Sequence, residues 1–275
     1  MNILNKVYRY LKKRSKNLNI RNKESLICVS NYKDISILYK IKKIAFIEKK
    51  LINNGIHSKN ILDIISTHIE PNSLLIDIGA NIGTISLPIA KLYRSKNVIV
   101  HSFEASSTIF EDLNKNIKLN NLENIHSYNF AVTSFNGKVD FYEVDENSDN
   151  KGLSSTLENA DILNPIKKEV SAIKIDNFVE QFSERVSVIK MDIQGSELDA
   201  LKGSISLIQR DRPVIIFEHE DRYHKDPETI KKELIEVFKS LSYEVYSINS
   251  DNPRLLYKED FNGYVETNLI ALPSK

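Results

Sequence analysis

The 275-residue chain has a single cysteine, Cys28. That excludes an intrachain disulfide framework and a zinc site built from several thiolates, and it fits a reducing compartment. No apolar run approaches the roughly 18 residues a membrane-spanning helix needs. The N-terminus also lacks the apolar stretch of a secretory signal. A soluble, cytoplasmic protein with no membrane span is expected. Nor is there an excess of either charge: 38 Lys and Arg stand against 37 Asp and Glu, a formal net charge of +1. A dedicated nucleic-acid binder usually carries a clearly basic face, so no nucleic-acid partner is expected.

The charge that is present is unevenly spread. Residues 1–24 hold eight cations against one acid, Glu24, with Leu4, Val7, Tyr8 and Leu11 at helical spacing. This reads as a basic helix, either solvated and packed by one face or an arm for an acidic partner, a membrane surface, dimerisation or docking to a glycan-assembly enzyme. Residues 35–70 read as further helix ending near Pro71. The expected organisation is a helical extension over 1–65 and one large α/β domain over 66–275.

From Leu74 the pattern changes to short apolar strands alternating with amphipathic helices. Strands are predicted at 74–78, 98–103, 125–131, 186–191 and 213–217, and helices at 84–94, 106–120, 197–209 and 228–241. Near-continuous apolar strands in that alternation predict a parallel sheet covered on both faces. Strands near 243–248 and 266–272 close the domain. Between about 133 and 176 the alternation stops: Asn136-Gly137 signals a hairpin, 138–143 and 170–175 alternate like antiparallel strands, and 145–169 is polar and turn-rich.

The central motif, Asp77-Ile78-Gly79-Ala80-Asn81-Ile82-Gly83-Thr84, lies between a strand and a helix. Ligands of open α/β sheets bind at such strand ends. A dinucleotide fold wants Gly-x-Gly-x-x-Gly to seat a pyrophosphate; this chain has Gly-x-Asn-x-Gly behind an acid. An acid there repels a pyrophosphate and suits a cationic ligand such as S-adenosylmethionine. Glu104, directly after the second strand, is placed to accept the two hydroxyls of a ribose.

Leu75–Gly83, Phe103-Glu104, Ile189–Glu197, Leu201-Lys202-Gly203, Arg212-Pro213 and Phe217-Glu218 together resemble the FkbM family of methyltransferases, over about residues 65–272. Ile175-Asp176 matches a family strand and turn. The block at 190–203 is the specific part, since the glycine loop indicates only a class I methyltransferase. Glu104-Ala105 stands where many members have Glu-Pro, which leaves the acid intact. The resemblance implies a Rossmann-like class I fold: a mostly parallel seven-stranded sheet with an antiparallel last strand and helices on both faces. It also implies S-adenosylmethionine as cofactor and O-methylation, commonly of sugars or polyketide-type products. Asp77, Gly79, Asn81 and Gly83 would surround the methionine part of the cofactor, with Ala80, Thr84 and Asp192 beside them. Glu104 would hold the ribose with Ser106 nearby, and Asn129 and Ala131 would lie near the adenine.

Methyl transfer to a hydroxyl needs alignment of the reacting atoms and removal of the hydroxyl proton. Lys190 and Asp192 fall on the same side of an extended segment; a lysine there keeps the aspartate ionised. Asp192, Glu218 and His219 are the candidate bases, and the structural alternative for Lys190–Asp192 is a strand-end ion pair. Glu197 either caps the next helix or lines the acceptor side, and Ser154 and Ser155 sit in the polar loop expected to cover a sugar or glycan acceptor. Asp192, Glu218, His219 and Glu220 also have donors for a divalent metal, but their spacing is not diagnostic, and no metal is assigned. Competing readings are an RNA or protein methyltransferase, an NAD-dependent oxidoreductase and a non-catalytic scaffold. They are disfavoured in turn by the near-neutral charge with no Asn-Pro-Pro-Tyr-type motif, by the missing Gly-x-Gly-x-x-Gly, and by the retained Asp77, Glu104 and Asp192.

Overall fold

The computed structural model describes residues 19–21, 26–41, 46–144, 154–157, 165–248 and 268–274. Strands β1 (Asn19–Arg21), β2 (Leu26–Tyr32) and β3 (Ile35–Ile41) form a three-stranded antiparallel sheet. Helices α1 (Phe46–Asn54) and α2 (Lys59–His68) follow. From there the chain alternates: β4 (Leu74–Ile78), α3 (Ser86–Tyr93), β5 (Ile99–Phe103), α4 (Ser107–Leu119), β6 (Ile125–Tyr128). The excursion comprises β7 (Ala131–Val132), β8 (Gly137–Glu143), β9 (Ile166–Ile173) and α5 (Ile175–Val179). The second half runs β10 (Val186–Met191), α6 (Glu197–Lys202), α7 (Ile205–Asp211), β11 (Val214–Glu218), α8 (Pro227–Ser240), β12 (Tyr243–Ser247), β13 (Asn268–Pro273).

The main sheet has seven strands in the order β12-β13-β11-β10-β4-β5-β6. Strands β11, β10, β4, β5 and β6 are mutually parallel, whereas β13 runs antiparallel to both β11 and β12. This is the Rossmann-like sheet expected, including the antiparallel last strand. Its centre explains the apolar runs: every residue of β4 and β10 is buried, because helices cover both faces of a parallel sheet. The chain leaves β4 in one direction and returns to β10 on its other side, so the switch point lies between those strands and opens a crevice at their carboxyl ends.

Two apolar clusters fill the two faces. One joins α3 and α4 to residues of the N-terminal segment, among them Cys28, Ile37, Tyr39, Leu51 and Leu62. The other packs Phe178, Leu201, Ile208, Leu234 and Phe238 beneath the sheet. Gly203 breaks the expected 197–209 helix into α6 and α7; a Cβ there would lie 2.1 Å from the Thr133 carbonyl oxygen.

Two expectations are corrected. The extension is not wholly helical, since 35–41 is a strand. Ile37, Tyr39 and Ile41 are buried at alternate positions, and a two-residue period on β-branched and aromatic residues fixes a strand against β2. The 46–54 and 59–68 stretches are helical as expected, while the basic segment 1–18 lies outside the described residues. The boundary placed at 65/66 falls inside α2, and residues on both sides of it share one core. Secondly, Asn136-Gly137 does not close a two-strand hairpin, because β9 lies between β7 and β8, antiparallel to β8 and parallel to β7. Among the described residues no helix is long and apolar enough to cross a membrane.

Candidate active site

At the carboxyl ends of β4, β5, β10 and β11 lies a cavity of about 500 Å³. The loop after β4 forms one wall. The N–H groups of Gly79 and Ala80 both donate to the Phe103 carbonyl, at 2.9 Å, tying this loop to the end of β5. Gly79 has φ +78, and a Cβ on it would lie 2.0 Å from the Asp192 carbonyl oxygen. Gly79→Ala therefore combines left-handed strain with backbone overlap and is expected to cost about 3 kcal/mol or more. A urea midpoint unchanged from that of the native chain would contradict this close approach.

Glu104 is almost fully buried. Its Oε2 accepts from the Asn81 N–H and its Oε1 from the Ser106 N–H, each at 2.9 Å. Burial pushes its carboxyl up to about 7, against the pull of those two N–H groups. Apolar Ile109, Phe130 and Ala131 line the cavity together with it. A buried carboxylate held by backbone donors, with lone pairs left over, suits a ribose, and the apolar lining suits a flat base.

On the other side Lys190 Nζ sits 3.3 Å from Asp192 Oδ2, 3.7 Å from Asp77 Oδ1 and 3.4 Å from the Gly79 carbonyl. Burial lowers its pKa, but Asp192 and Asp77 outweigh that and hold it above the ordinary lysine range. Asp192 keeps 40% of its side-chain surface exposed. Desolvation at the cavity floor raises its pKa, yet Lys190, a hydrogen bond with Glu218 and one from Gln194 together leave it lowered. Glu218 is pushed up to about 10, by burial first and then by the charge of Asp192. At neutral pH the cluster thus holds an ammonium, an ionised Asp192 and a protonated Glu218.

Of the residues assigned from sequence, Gly79, Ala80, Asn81, Thr84, Glu104, Ala131, Lys190, Asp192, Glu218, Ser154 and Ser155 line the cavity. Others serve from behind it. Asp77 is fully buried; its Oδ2 accepts from Ser86 Oγ at 2.5 Å and its Oδ1 faces Lys190. It does not line the cavity, and its charge reaches the site through Lys190. Gly83 accepts a hydrogen bond from Tyr39 Oη at 3.3 Å, joining the loop to β3. Ser106 caps α4 and donates to Glu143. Asn129 donates to the carbonyls of Glu104 and Ala105 at 2.8 and 3.0 Å, bracing that strap.

Two further assignments are corrected. His219 points away from the cavity, as strand alternation from Glu218 requires; its ring stacks on His224 at 5.4 Å, with Nε2 3.4 Å from Asp221. Burial lowers its pKa to about 4, and it is not placed to act as the base. Glu197 does not reach the acceptor side. It is 2% exposed and accepts the N–H groups of Ile193 and Gly195 at 2.9 Å each, fixing the loop after β10. Ser155 is buried, and its hydroxyl donates to the Gln194 carbonyl at 2.9 Å, pinning the 154–157 segment to that loop. Ser154 Oγ accepts from the Val144 N–H at 3.0 Å. Among the described residues no group of three or more His, Cys, Asp or Glu is arranged to hold a metal ion.

Glu197 also makes stability depend on pH. Its carboxyl rises from 4.5 to about 7, chiefly through burial. A raised folded-state value means its contribution is complete below the unfolded value and is lost as pH rises through about 7. Glu197→Gln is expected to flatten the fall in unfolding free energy between about pH 5 and 8. Urea unfolding at the two pH values checks this, and equal slopes for the two chains would remove the assignment.

The sequence reading missed one wall of the cavity: Phe46, Ile47, Lys50, His57, Ser58 and Ile61, all from α1, α2 and their connection. Nothing in their spacing marks them. Lys50 Nζ lies 4.3 Å from the Phe46 ring centroid, and burial, then Lys50, lower the His57 pKa to about 4. It also missed Gln194, Arg222 and Tyr223, of which Gln194 stood in plain view inside the 190–203 motif.

Residues 77–245 match the model of the Methyltransferase FkbM domain. Methyltransferase 1 of Beauveria bassiana is 22% identical over 147 residues, covering 48% of this chain and 58% of its own length. Methyltransferase sdnD of Sordaria araneosa is 24% identical over 186 residues, covering 58% of this chain and 70% of its own. The crystal structure of Methyltransferase FkbM from Methylobacillus flagellatus KT aligns at 16% identity and a TM-score of 0.47, over 78% of this chain and 46% of that one. That of M. jannaschii TYW2 in complex with AdoMet aligns at 17% identity and a TM-score of 0.46, over 92% and 87%. The chain thus spans little more than half the length of the first of these relatives. With a family match running over more than half of its residues, from Asp77 to Val245, the chain belongs to the FkbM methyltransferase domain family.

Proposed function

We propose that the protein transfers the methyl group of S-adenosylmethionine to a hydroxyl of a sugar or glycan. The observation that carries this reading is that one cavity holds both the Glu104 cradle and the Lys190–Asp192–Glu218 cluster. Glu104 would take the ribose hydroxyls, and the Gly79–Asn81 backbone would flank the amino-acid end. The cofactor, when bound, supplies an electrophilic methyl on a cationic sulfur, a charge that Asp192 favours. Asp192, ionised and partly exposed, takes the proton of the acceptor hydroxyl. Lys190 steadies the negative charge growing on the oxygen as that proton leaves. Glu218, protonated, adds no second negative charge beside the base. The acceptor side supports a polar, ring-shaped acceptor: Ser154, Thr156, Arg222 and Asn268 offer hydrogen bonds, and Phe46 and Tyr223 offer flat faces.

Calorimetric titration with S-adenosylhomocysteine, with NAD as control, tests the cofactor. Micromolar binding of S-adenosylhomocysteine alone is expected; binding of NAD alone would sink the reading. A panel of free sugars, uronates and nucleotide-linked sugars, assayed by S-adenosylhomocysteine release, then tests the acceptor class. Methylation of peptides or RNA with none on the panel would overturn it.

A further inference from the structure

Gln194 is a non-glycine residue in the left-handed region, with φ +54. That conformation costs about 1–2 kcal/mol for a residue with a Cβ, and it persists only where the surroundings impose it. Here they do. The Gln194 carbonyl takes the Ser155 hydroxyl at 2.9 Å, and Glu197 holds the N–H groups on either side, of Ile193 and Gly195. The result is a side chain turned back into the cavity, between the two carboxyl groups at its floor.

Its amide nitrogen donates to Asp192 Oδ1 at 2.8 Å and to Glu218 Oε2 at 2.7 Å. Its amide oxygen accepts the Tyr223 hydroxyl. The direction of that amide follows from the donors available. Arg222, which can only donate, gives a hydrogen bond to the Tyr223 oxygen at 2.8 Å. The tyrosine proton is then left for the glutamine oxygen, and the NH₂ end must face the carboxyl groups. Arg222 is itself held by Glu220. Both amide protons are engaged, one on each acid, so neither carboxyl group can turn without losing a bond.

We propose that Gln194 is a positioning residue of the methyl-transfer site, a double clamp that holds Asp192 by one oxygen and so leaves Oδ2 to Lys190 and the acceptor hydroxyl. Tyr223 and Arg222 set the direction of the clamp. The role rests on the methyl-transfer reading above, but the clamp itself is a property of the protein that can be measured without an acceptor. The charged or titratable groups around Asp192 are Lys190 from β10, Asp77 from β4, Glu218 from β11 and Glu197 from α6, and His57 from the α1–α2 connection senses its charge.

The test uses two variants of the full chain. Gln194→Asn keeps an amide and tolerates the left-handed backbone better, but it is one methylene too short to bridge both acids. Gln194→Met keeps the length and has no donor. Carboxyl ¹³C titration of the protein saturated with S-adenosylhomocysteine reads Asp192 and Glu218 directly. Losing a hydrogen bond to its charged form is expected to move the Asp192 midpoint up by about one pH unit in both variants. S-adenosylhomocysteine affinity should stay within about threefold of wild type. On an acceptor the native chain methylates, kcat should fall about tenfold or more with KM little changed, and the acid limb of the kcat profile should move to higher pH. Tyr223→Phe, which frees the amide to flip, should shift Asp192 the same way by less. An unmoved Asp192 midpoint in both folded Gln194 variants would overturn the clamp. Failure of the native chain to bind S-adenosylhomocysteine would instead overturn the methyl-transfer reading, with the carboxyl titration of the free protein still reporting on the clamp.

Discussion

Asp192→Asn is expected to lower turnover by about 10²–10⁴-fold, the usual worth of a positioned general base. The substitution is nearly isosteric, so it removes the charge and the proton-accepting oxygen while leaving space and backbone unchanged. The Asp192 N–H still donates to the Ile78 carbonyl at 3.0 Å, which keeps β10 in register with β4 at the site. The geometry also says what else should change. Lys190 would lose the nearer of its two carboxylates, the one at 3.3 Å, and keep only Asp77 at 3.7 Å. Glu218 would lose the neighbouring charge that helps keep it protonated and should ionise at lower pH. An Asp192→Asn enzyme is therefore expected to regain part of its activity at alkaline pH, as Glu218 becomes the available carboxylate. Steady-state turnover across pH 6–10 decides the matter. Turnover equal to wild type at neutral pH would move the base to Glu218, since His219 faces away from the cavity.

What the sequence made legible, and what it hid, follows from the range of the interactions involved. The strand–helix alternation and the motifs at strand ends are local signals: β4 and β10 read as apolar runs because a doubly covered sheet buries every residue of its central strands. Glu104 and Asp192 were found because each directly follows such a strand. Strand alternation also applied to the end of β11, where Glu218 and Glu220 line the cavity while His219 between them does not. Chemistry alone had made His219 attractive, and only the period of the strand excludes it. Glu197 misled for a related reason. A buried loop needs internal partners for its N–H and C=O groups, and the polar residues nearest the site supply them. The wall built by Phe46, Lys50 and His57 was not legible at all, because it depends on a long-range docking of the N-terminal segment. Beside the shared apolar core, that docking uses Asn116 of α4 and Asn120 at its C-terminal cap, whose side-chain oxygens accept the N–H groups of Lys40 and Leu38 at 2.8 and 2.9 Å. Asparagines on a helix carry no sequence signal for pairing with an edge strand some eighty residues earlier.

Replacing Glu104 tests the cofactor assignment with the second large effect. A carboxylate that accepts two ribose hydroxyls makes two charge-assisted hydrogen bonds, each worth about 1.5–3 kcal/mol. Glu104→Ala is therefore expected to weaken S-adenosylhomocysteine binding by at least about 100-fold. Alanine also leaves the Asn81 and Ser106 N–H groups without their acceptors, so part of its loss would come from a loosened loop. Glu104→Gln keeps the side-chain shape and still serves one of those two N–H groups, where alanine serves neither, but it has no charge, and about a tenfold loss or more is expected. The pH dependence is the sharper discriminator. Because burial holds the Glu104 carboxyl near 7 in the free protein, the ionised form that accepts both hydroxyls is a minority species below that pH. Binding of S-adenosylhomocysteine should then strengthen as pH rises from about 6 to 8 and proceed with proton release near pH 7, while the Gln variant should lose that component. Calorimetry in two buffers of different ionisation enthalpy reads the released proton. A native chain and a Glu104→Gln variant with the same affinity and the same proton release would place the ribose elsewhere.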